Sequence, residues 1–165
     1  MYQKGDYINY GGHGICQIED IRAMDFKTGS GKRDYYILHP IRQDGTVFYL
    51  PADSSDTRSR RLLTREEIDG ILTGIRDSQM SWIADRKQRT AQFQQILSRR
   101  DTGELVLLAR CLHLQQRERP LPTAERETLH QIEHMIEQEF SIVLGLPPTE
   151  VGAYIQSKMP LGGTV

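Results

Sequence analysis

The sequence predicts an α+β protein in which a small SH3- or Tudor-like β-barrel precedes an all-α helical bundle. Within residues 5–51, short β-branched and aromatic runs are separated by turns rich in Gly, Asp and Pro, which is typical of a small barrel. From Leu62 onward, apolar residues recur every three or four positions, as on one face of a helix. The chain of 165 residues accommodates two small domains, which we assign to residues 1–60 and 61–165.

The N-terminal part is predicted to contain four or five strands joined by tight turns. The first turn, Gly11-Gly12-His13-Gly14, precedes a β run rather than a helix, so it lacks the helix N-terminus that phosphate-binding loops use. Later turns lie at residues 27–32 and 43–45, and the second contains the Asp-Gly pair that favours hairpins. The polar segment 52–61 is predicted to be a linker or loop. The predicted strands cover residues 6–10, 15–26, 34–38 and 46–50.

The C-terminal part shows helix start and stop signals. Thr64 and Glu67 have the spacing of a capping box at the start of an apolar helical pattern. Gly145 is predicted to end the fourth helix, because two prolines follow it and prevent continuation. Other helix starts are predicted at Ser81, Thr102, Thr123 and Thr149.

The distribution of charge predicts a local affinity for phosphate rather than a global one. The net charge is only -1, yet basic residues outnumber acidic ones within residues 76–119, and the reverse holds within residues 120–165. A basic segment attracts nucleic acid, although the same pattern also fits a solvated helix face. The sequence leaves both interpretations open.

Composition favours a cytoplasmic protein without a cofactor. Cys16 and Cys111 are isolated and have the spacing of neither a metal site nor a disulfide framework, which fits a reducing compartment. No apolar run approaches the roughly 18 residues that a membrane helix needs. The N-terminus also lacks the basic and then apolar pattern of a secretory signal.

One pattern raises the alternative of an enzyme. His130-Gln131-Ile132-Glu133-His134 matches the H-x-x-E-H spacing of one class of zinc peptidases. The apolar stripe of this helix, however, places both histidines toward solvent or on the flank, and a catalytic zinc also needs a third protein ligand. We therefore expect a protein that is not an enzyme, and a metal-content measurement would distinguish the two classes.

Trp82 is the only tryptophan, and the sequence allows two roles for it. A tryptophan in a helical domain is most often part of the core. Arg86, Lys87 and Arg89 follow closely, however, and an apolar side chain beside a basic helix can insert into the minor groove of DNA. The flanking cations would then attract the phosphates.

An ordered set of short motifs resembles the CarD family of bacterial transcription regulators. The N-terminal motif is the Gly5-Asp6 turn and Tyr10 followed by His13-Gly14. Residues 34–38 and 50–52 are similar to the third strand of the family and to the end of its last strand. In the helical part, Trp82 falls where the family has a wedge tryptophan. Residues 121–126, with Leu129 and Glu139, resemble a helix start of the family. The resemblance extends to about Tyr154.

The resemblance implies a Tudor-like domain that docks on the β subunit of RNA polymerase by pairing strand edges. It implies polymerase contacts at Met24, Val47, Phe48 and Tyr49. It also implies that the helical domain touches promoter DNA at the upstream edge of the transcription bubble and stabilises the open complex. The DNA-binding residues would be Trp82, Arg86, Lys87 and Arg89.

Three questions remain open at this stage. The chain is expected to act as a monomer or as a domain-swapped dimer, and the sequence does not choose between them. In the fourth helix, Gln131 and Glu133 replace residues that are commonly basic in the family, which shifts the expected DNA contacts toward Trp82 and the segment from Arg86 to Arg89.

A protein–protein adaptor that uses the barrel without touching DNA is the alternative function. In an adaptor, Trp82 would be buried in the bundle.

Overall fold

A computed structural model describes residues 1–27, 29, 31–42, 45–53 and 58–159 of the chain. The polypeptide divides between Leu62 and Leu63 into two compact units. We call residues 1–62 the sheet unit and the remainder the helical unit. No helix in the described part is long and apolar enough to cross a membrane.

The sheet unit is a five-stranded antiparallel sheet with the strand order β4-β3-β2-β1-β5. A single turn of 3-10 helix at Gly11–His13 connects the first two strands. This arrangement, followed by helices, confirms the predicted α+β class with a small Tudor-like domain and an all-α part. The strands are β1 (Tyr7–Tyr10), β2 (Ile15–Met24), β3 (Arg33–Pro40), β4 (Phe48–Pro51) and β5 (Ser59–Arg61).

The predicted linker at residues 52–61 is partly wrong, because it contains β5. Strand β5 pairs with β1, with Ile8 opposite Arg61 and Tyr10 opposite Ser59. The polar composition of β5 hides this strand, since its backbone bonds to β1 whatever its side chains are. Parts of the two predicted hairpin turns, and residues 54–57, lie outside the described residues.

The core of the sheet unit lies on one face of the sheet. Alternate residues of β3, Tyr36 and Leu38, are buried there with Ile8, Ile18 and Leu50. A β-bulge in β2 interrupts the alternation, because the register shifts between Ile18 and Asp20. After the bulge, Asp20 lies opposite Ile37 on the other face, and Ile21 lies opposite Tyr36. The bulge therefore exchanges the side-chain faces of the second half of β2.

The described part of the helical unit, residues 63–159, contains five helices around an apolar core. Fully buried side chains of α1, α3 and α4 meet in this core, among them Leu72, Leu108, Ile132 and Phe140. Glu139 is also buried there, and its Oε1 accepts a hydrogen bond of 2.9 Å from the backbone N–H of Leu63. The helices are α1 (Arg65–Ile75), α2 (Arg86–Arg99), α3 (Thr102–Glu118), α4 (Thr123–Leu144) and α5 (Pro148–Lys158).

The helix ends follow the sequence signals in part. The capping box of Thr64 and Glu67 is present, and Gly145 ends α4 in the left-handed conformation, with φ of 67°. The helix starts predicted at Thr102 and Thr123 are confirmed, and α5 begins at Pro148, one residue before Thr149. The start predicted at Ser81 is wrong, because α2 begins at Arg86, and the capping carboxylates belong to Asp85 for α2 and Asp101 for α3. An aspartate in the residues before a helix competes successfully with a nearby serine or threonine for the first free N–H groups.

Candidate functional site

Strand β4 forms one edge of the sheet and directs part of its backbone away from the neighbouring strand. The N–H of Ala52 bonds to the carbonyl of Asp34 at 2.8 Å, and these residues continue the β3–β4 register. In an antiparallel pair, hydrogen-bonded and non-hydrogen-bonded positions alternate. Leu50 and Phe48 therefore bond to β3, whereas the N–H and C=O of Tyr49 point to the outer edge. An added strand would find its backbone partners at Tyr49.

Three aromatic side chains form a patch on the face of the sheet opposite the core. Phe26 contacts Tyr35 and Tyr49, with ring centroids 4.9 Å and 5.3 Å apart and the rings close to perpendicular. Phe26 is 43% exposed and Tyr49 is 44% exposed, whereas Tyr35 is half-buried. We call Phe26, Tyr35 and Tyr49 the aromatic patch. The patch lies beside the outer edge of β4, so backbone and apolar groups are available on the same border of the sheet.

The four predicted polymerase-binding residues do not form one cluster. Tyr49 belongs to the aromatic patch, and Val47 is half-buried just before β4. Phe48 faces the core, where it contacts the ring of His13 at 4.1 Å, so it supports the edge from behind. Met24 is half-buried at the end of β2, opposite Arg33 and separated from β4 by β3.

Trp82 lies in the segment before α2 and is half-buried. Its ring packs against the helical core and meets Phe93 nearly edge-on, with centroids 6.4 Å apart. The guanidinium Cζ of Arg89 lies 4.4 Å from the indole centroid, which is a cation–π contact. The indole is therefore held by neighbours and is also partly accessible.

Arg89 does not present its charge to solvent, although the sequence placed it among the DNA-binding residues. Arg89 and Glu125 are each 8% exposed and form an ion pair in which two guanidinium nitrogens contact Glu125 Oε1 at 2.7 Å and 2.6 Å. A third nitrogen, Nη1, donates to the backbone carbonyls of Ile83 and Ala84 at 2.8 Å and 3.2 Å. Arg89 thus connects α2, the start of α4 and the segment that carries Trp82.

Arg86 and Lys87 are exposed in the first turn of α2. Neither forms an ion pair with another described residue, and both lie at the positive end of the helix dipole, where a cation is unfavourable. Their position is therefore not explained by stability. They leave two exposed cations close to Trp82 in sequence, beside the Asp85 carboxylate that caps the helix.

The other candidates for chemistry in the sequence are the histidines of the H-x-x-E-H pattern and the two cysteines. His130 is exposed and His134 is half-buried, with ring centroids 6.4 Å apart. Within the described residues, no group of three or more His, Cys, Asp or Glu side chains has the arrangement of a metal site. Burial raises the pKa of the Cys16 thiol to about 11, and burial also raises the pKa of Cys111. Both thiols are therefore poor nucleophiles near neutral pH.

Sequence reasoning missed two members of the aromatic patch and the role of Glu125. Phe26 and Tyr35 lie on either side of the turn between β2 and β3, where an aromatic residue next to a polar turn is a weak sign of an exposed contact. Glu125 lies four residues after Leu121 and four residues before Leu129, both of which are buried, so it falls on the apolar stripe of this helix. An acidic residue in such a stripe is a signal for a buried partner.

Residues 2–63 match the family model described as the CarD-like/TRCF RID domain. The match confirms the predicted resemblance for this segment, which coincides with the sheet unit. It is a protein-interaction domain associated with RNA polymerase, and the match supports a transcription-related role. A comparison of the chain with curated proteins finds no significant match.

Proposed function

We propose that this protein is a transcription regulator that docks on the β subunit of RNA polymerase through strand β4 and the aromatic patch. The observation that carries the proposal is the outer edge at Tyr49, which lies inside the segment that matches the CarD-like/TRCF RID domain. Addition of a strand to an exposed edge draws its affinity from the backbone and its specificity from alternate side chains. The aromatic patch supplies those side chains.

The helical unit supplies the DNA contact in this proposal. Trp82 is partly accessible, and the two exposed cations of the first turn of α2, Arg86 and Lys87, follow it closely in sequence. The indole would insert at the upstream edge of the bubble, while the cations contact phosphates. Because insertion stabilises an unstacked base step, the open promoter complex would last longer. The protein acts in the bacterial cytoplasm as a binding protein without catalytic activity.

The DNA contact depends on docking, because the basic segment 76–119 is balanced by the acidic segment 120–165. The contact uses only two exposed cations, Arg86 and Lys87, so few counterions are released and binding of free duplex is weak at physiological salt. Docking on polymerase raises the effective concentration of the helical unit at the promoter. Tight binding of free promoter DNA at physiological salt would contradict this part of the proposal.

The docking experiment uses the full chain and purified RNA polymerase. Tyr49→Pro removes the outward N–H and Tyr49→Ala removes only the ring, so comparison of the two separates the backbone from the side chain. We expect the proline variant to lose polymerase binding in a pull-down and the alanine variant to bind less tightly than the native protein. Ile41→Ser is the control, because Ile41 is exposed but lies outside the patch. Native-like binding by a folded Tyr49→Pro variant would reject β4 as the docking edge.

A protein–protein adaptor is the second candidate, and the packing of Trp82 against Phe93 favours it. In that case the indole serves the core, and DNA plays no part. The open-complex lifetime distinguishes the candidates when polymerase binding is intact. An adaptor leaves the lifetime unchanged in Trp82→Ala, whereas the regulator loses its effect on the lifetime.

A further inference from the structure

We propose that the ion pair of Arg89 and Glu125 is a positioning device that holds the Trp82 segment in one conformation. Arg89 makes three kinds of contact at once: with the carboxylate of Glu125, with the face of the indole, and with two backbone carbonyls of the segment after Trp82. We call this set of contacts the Arg89 clamp. The inference rests on the proposed function only for its consequence at DNA.

The geometry of the clamp fixes both the backbone and the ring. Ile83 and Ala84 follow Trp82 directly and precede α2, which begins at Arg86. Their carbonyls therefore lie outside the helix, and both accept hydrogen bonds from Arg89. The guanidinium also covers one face of the indole, with Cζ at 4.4 Å from its centroid. Planar stacking together with a fixed fork of donors is available to arginine and not to lysine.

The pair is not arranged for maximal stability. Both hydrogen bonds from Arg89 go to Oε1 of Glu125, while Oε2 is buried and has no partner among the described protein atoms. A buried pair usually adds little to stability compared with apolar residues of the same volume, and its value lies in fixing an arrangement in some proteins. The third nitrogen, Nη1, donates to the Trp82 segment, so the pair fixes the position of that segment relative to α2 and α4.

A fixed indole binds better than a mobile one. Immobilising a side chain during binding reduces affinity, and prior immobilisation avoids this loss. If Trp82 acts at the promoter, release of the clamp should shorten the open-complex lifetime by roughly twofold to tenfold. The Arg89 clamp would therefore tune the strength of the regulator without touching DNA.

The test uses the double variant Arg89→Met/Glu125→Leu in the full chain. Apolar residues of similar volume preserve packing while removing all hydrogen bonds to the Trp82 segment. Trp82 is the only tryptophan, so its fluorescence reports directly on the clamp. We expect an unchanged far-ultraviolet circular dichroism spectrum, a red-shifted emission and stronger quenching by acrylamide. Polymerase binding should be unchanged, and the open-complex lifetime should be shorter.

Arg89→Lys is the second variant and decides the outcome if the double variant does not fold. Lysine keeps the charge opposite Glu125 but cannot stack on the indole and also reach two carbonyls. Emission and quenching like those of the native protein in a folded variant would overturn the inference. If quenching increases but neither this variant nor Trp82→Ala changes the open-complex lifetime, the clamp stands and the proposed DNA role fails.

Discussion

The two units of this protein differ in where exposed hydrophobic side chains and buried charged side chains are found. Among the described residues, every large hydrophobic side chain with marked exposure belongs to the sheet unit, including Phe26 and Tyr49. The buried charged side chains in the described part of the chain belong to the helical unit, namely Arg89, Glu125 and Glu139. The sheet unit exposes apolar groups, and the helical unit buries polar groups that connect its own segments.

This contrast predicts different responses to substitution. Exposed apolar groups contribute to binding and little to folding, so their removal is seen mainly in complexes. Replacement of a buried polar residue lowers stability most when it leaves the partner group buried without a hydrogen bond. An exposed apolar residue whose replacement lowers stability, or a buried polar residue whose replacement does not, would contradict this division between the units.

The largest expected effect is the loss of one partner of the buried ion pair. Glu125→Ala leaves the guanidinium of Arg89 buried without its carboxylate, so the free energy of unfolding should fall by about 3–5 kcal/mol. Urea denaturation followed by circular dichroism measures the change. Glu127→Ala, at an exposed position two residues later, is the matched control. A loss of less than about 1 kcal/mol would show that water reaches the pair freely.

Trp82→Ala should have a smaller effect on stability. A fully buried aromatic residue costs about 3–5 kcal/mol when truncated, and Trp82 is half-buried, so about 2 kcal/mol is expected. Thermal or chemical denaturation of the variant gives this value. The same variant should keep polymerase binding and shorten the open-complex lifetime. A loss as large as that of a fully buried residue would place the indole in the core and favour the adaptor.

Phe26→Ser should change the free energy of unfolding by no more than about 0.5 kcal/mol, because the ring is largely exposed. Binding to RNA polymerase should weaken, since the centre of the aromatic patch is lost. Isothermal titration with purified polymerase measures the affinity, and Ile41→Ser again serves as the exposed control. A large fall in stability together with native affinity would reverse the assignment of Phe26 to binding.

The smallest effect near neutral pH is that of the buried thiols. The folded state raises the pKa of Cys16 from 9.0 to about 11, because burial disfavours the thiolate. Both states are protonated below pH 9, so this contribution to stability is complete there. As the pH rises from 9 toward 11, the unfolded state ionises first and stability falls. Denaturation midpoints across this range should decline less steeply in Cys16→Ala, and an equal decline would refute the role of Cys16.

Local patterns predicted much of the fold, because they involve neighbours in sequence. The capping box at Thr64 and the glycine at residue 145 need only a few adjacent residues. Strand β5 and the burial of Arg89 depend on partners far along the chain, Ile8 and Glu125, which no single window contains. Arginine in a basic segment resembles a surface cation until its partner is known.

The candidate site shows the same division. Tyr49 was expected at the docking edge because the resemblance marked the end of its strand. Phe26 and Tyr35 were missed, because their contact depends on how the β2–β3 hairpin and β4 come together. Arg86 and Lys87 are exposed, as helix periodicity alone allows, whereas the nearby Arg89 faces inward.

The bulge in β2 contains one residue that the pairing of the sheet does not need. Glu19 is this extra residue, and its exposed side chain contributes only a surface pair with His39 at 2.5 Å. Replacement of Glu19 is therefore mild, and its deletion would leave a regular strand in which Asp20 still lies opposite Ile37 and Ile21 still lies opposite Tyr36. A related sequence that lacks this residue would keep every other side chain of β2 on its present face. An alignment that closes the resulting gap would join residues from opposite faces of the sheet.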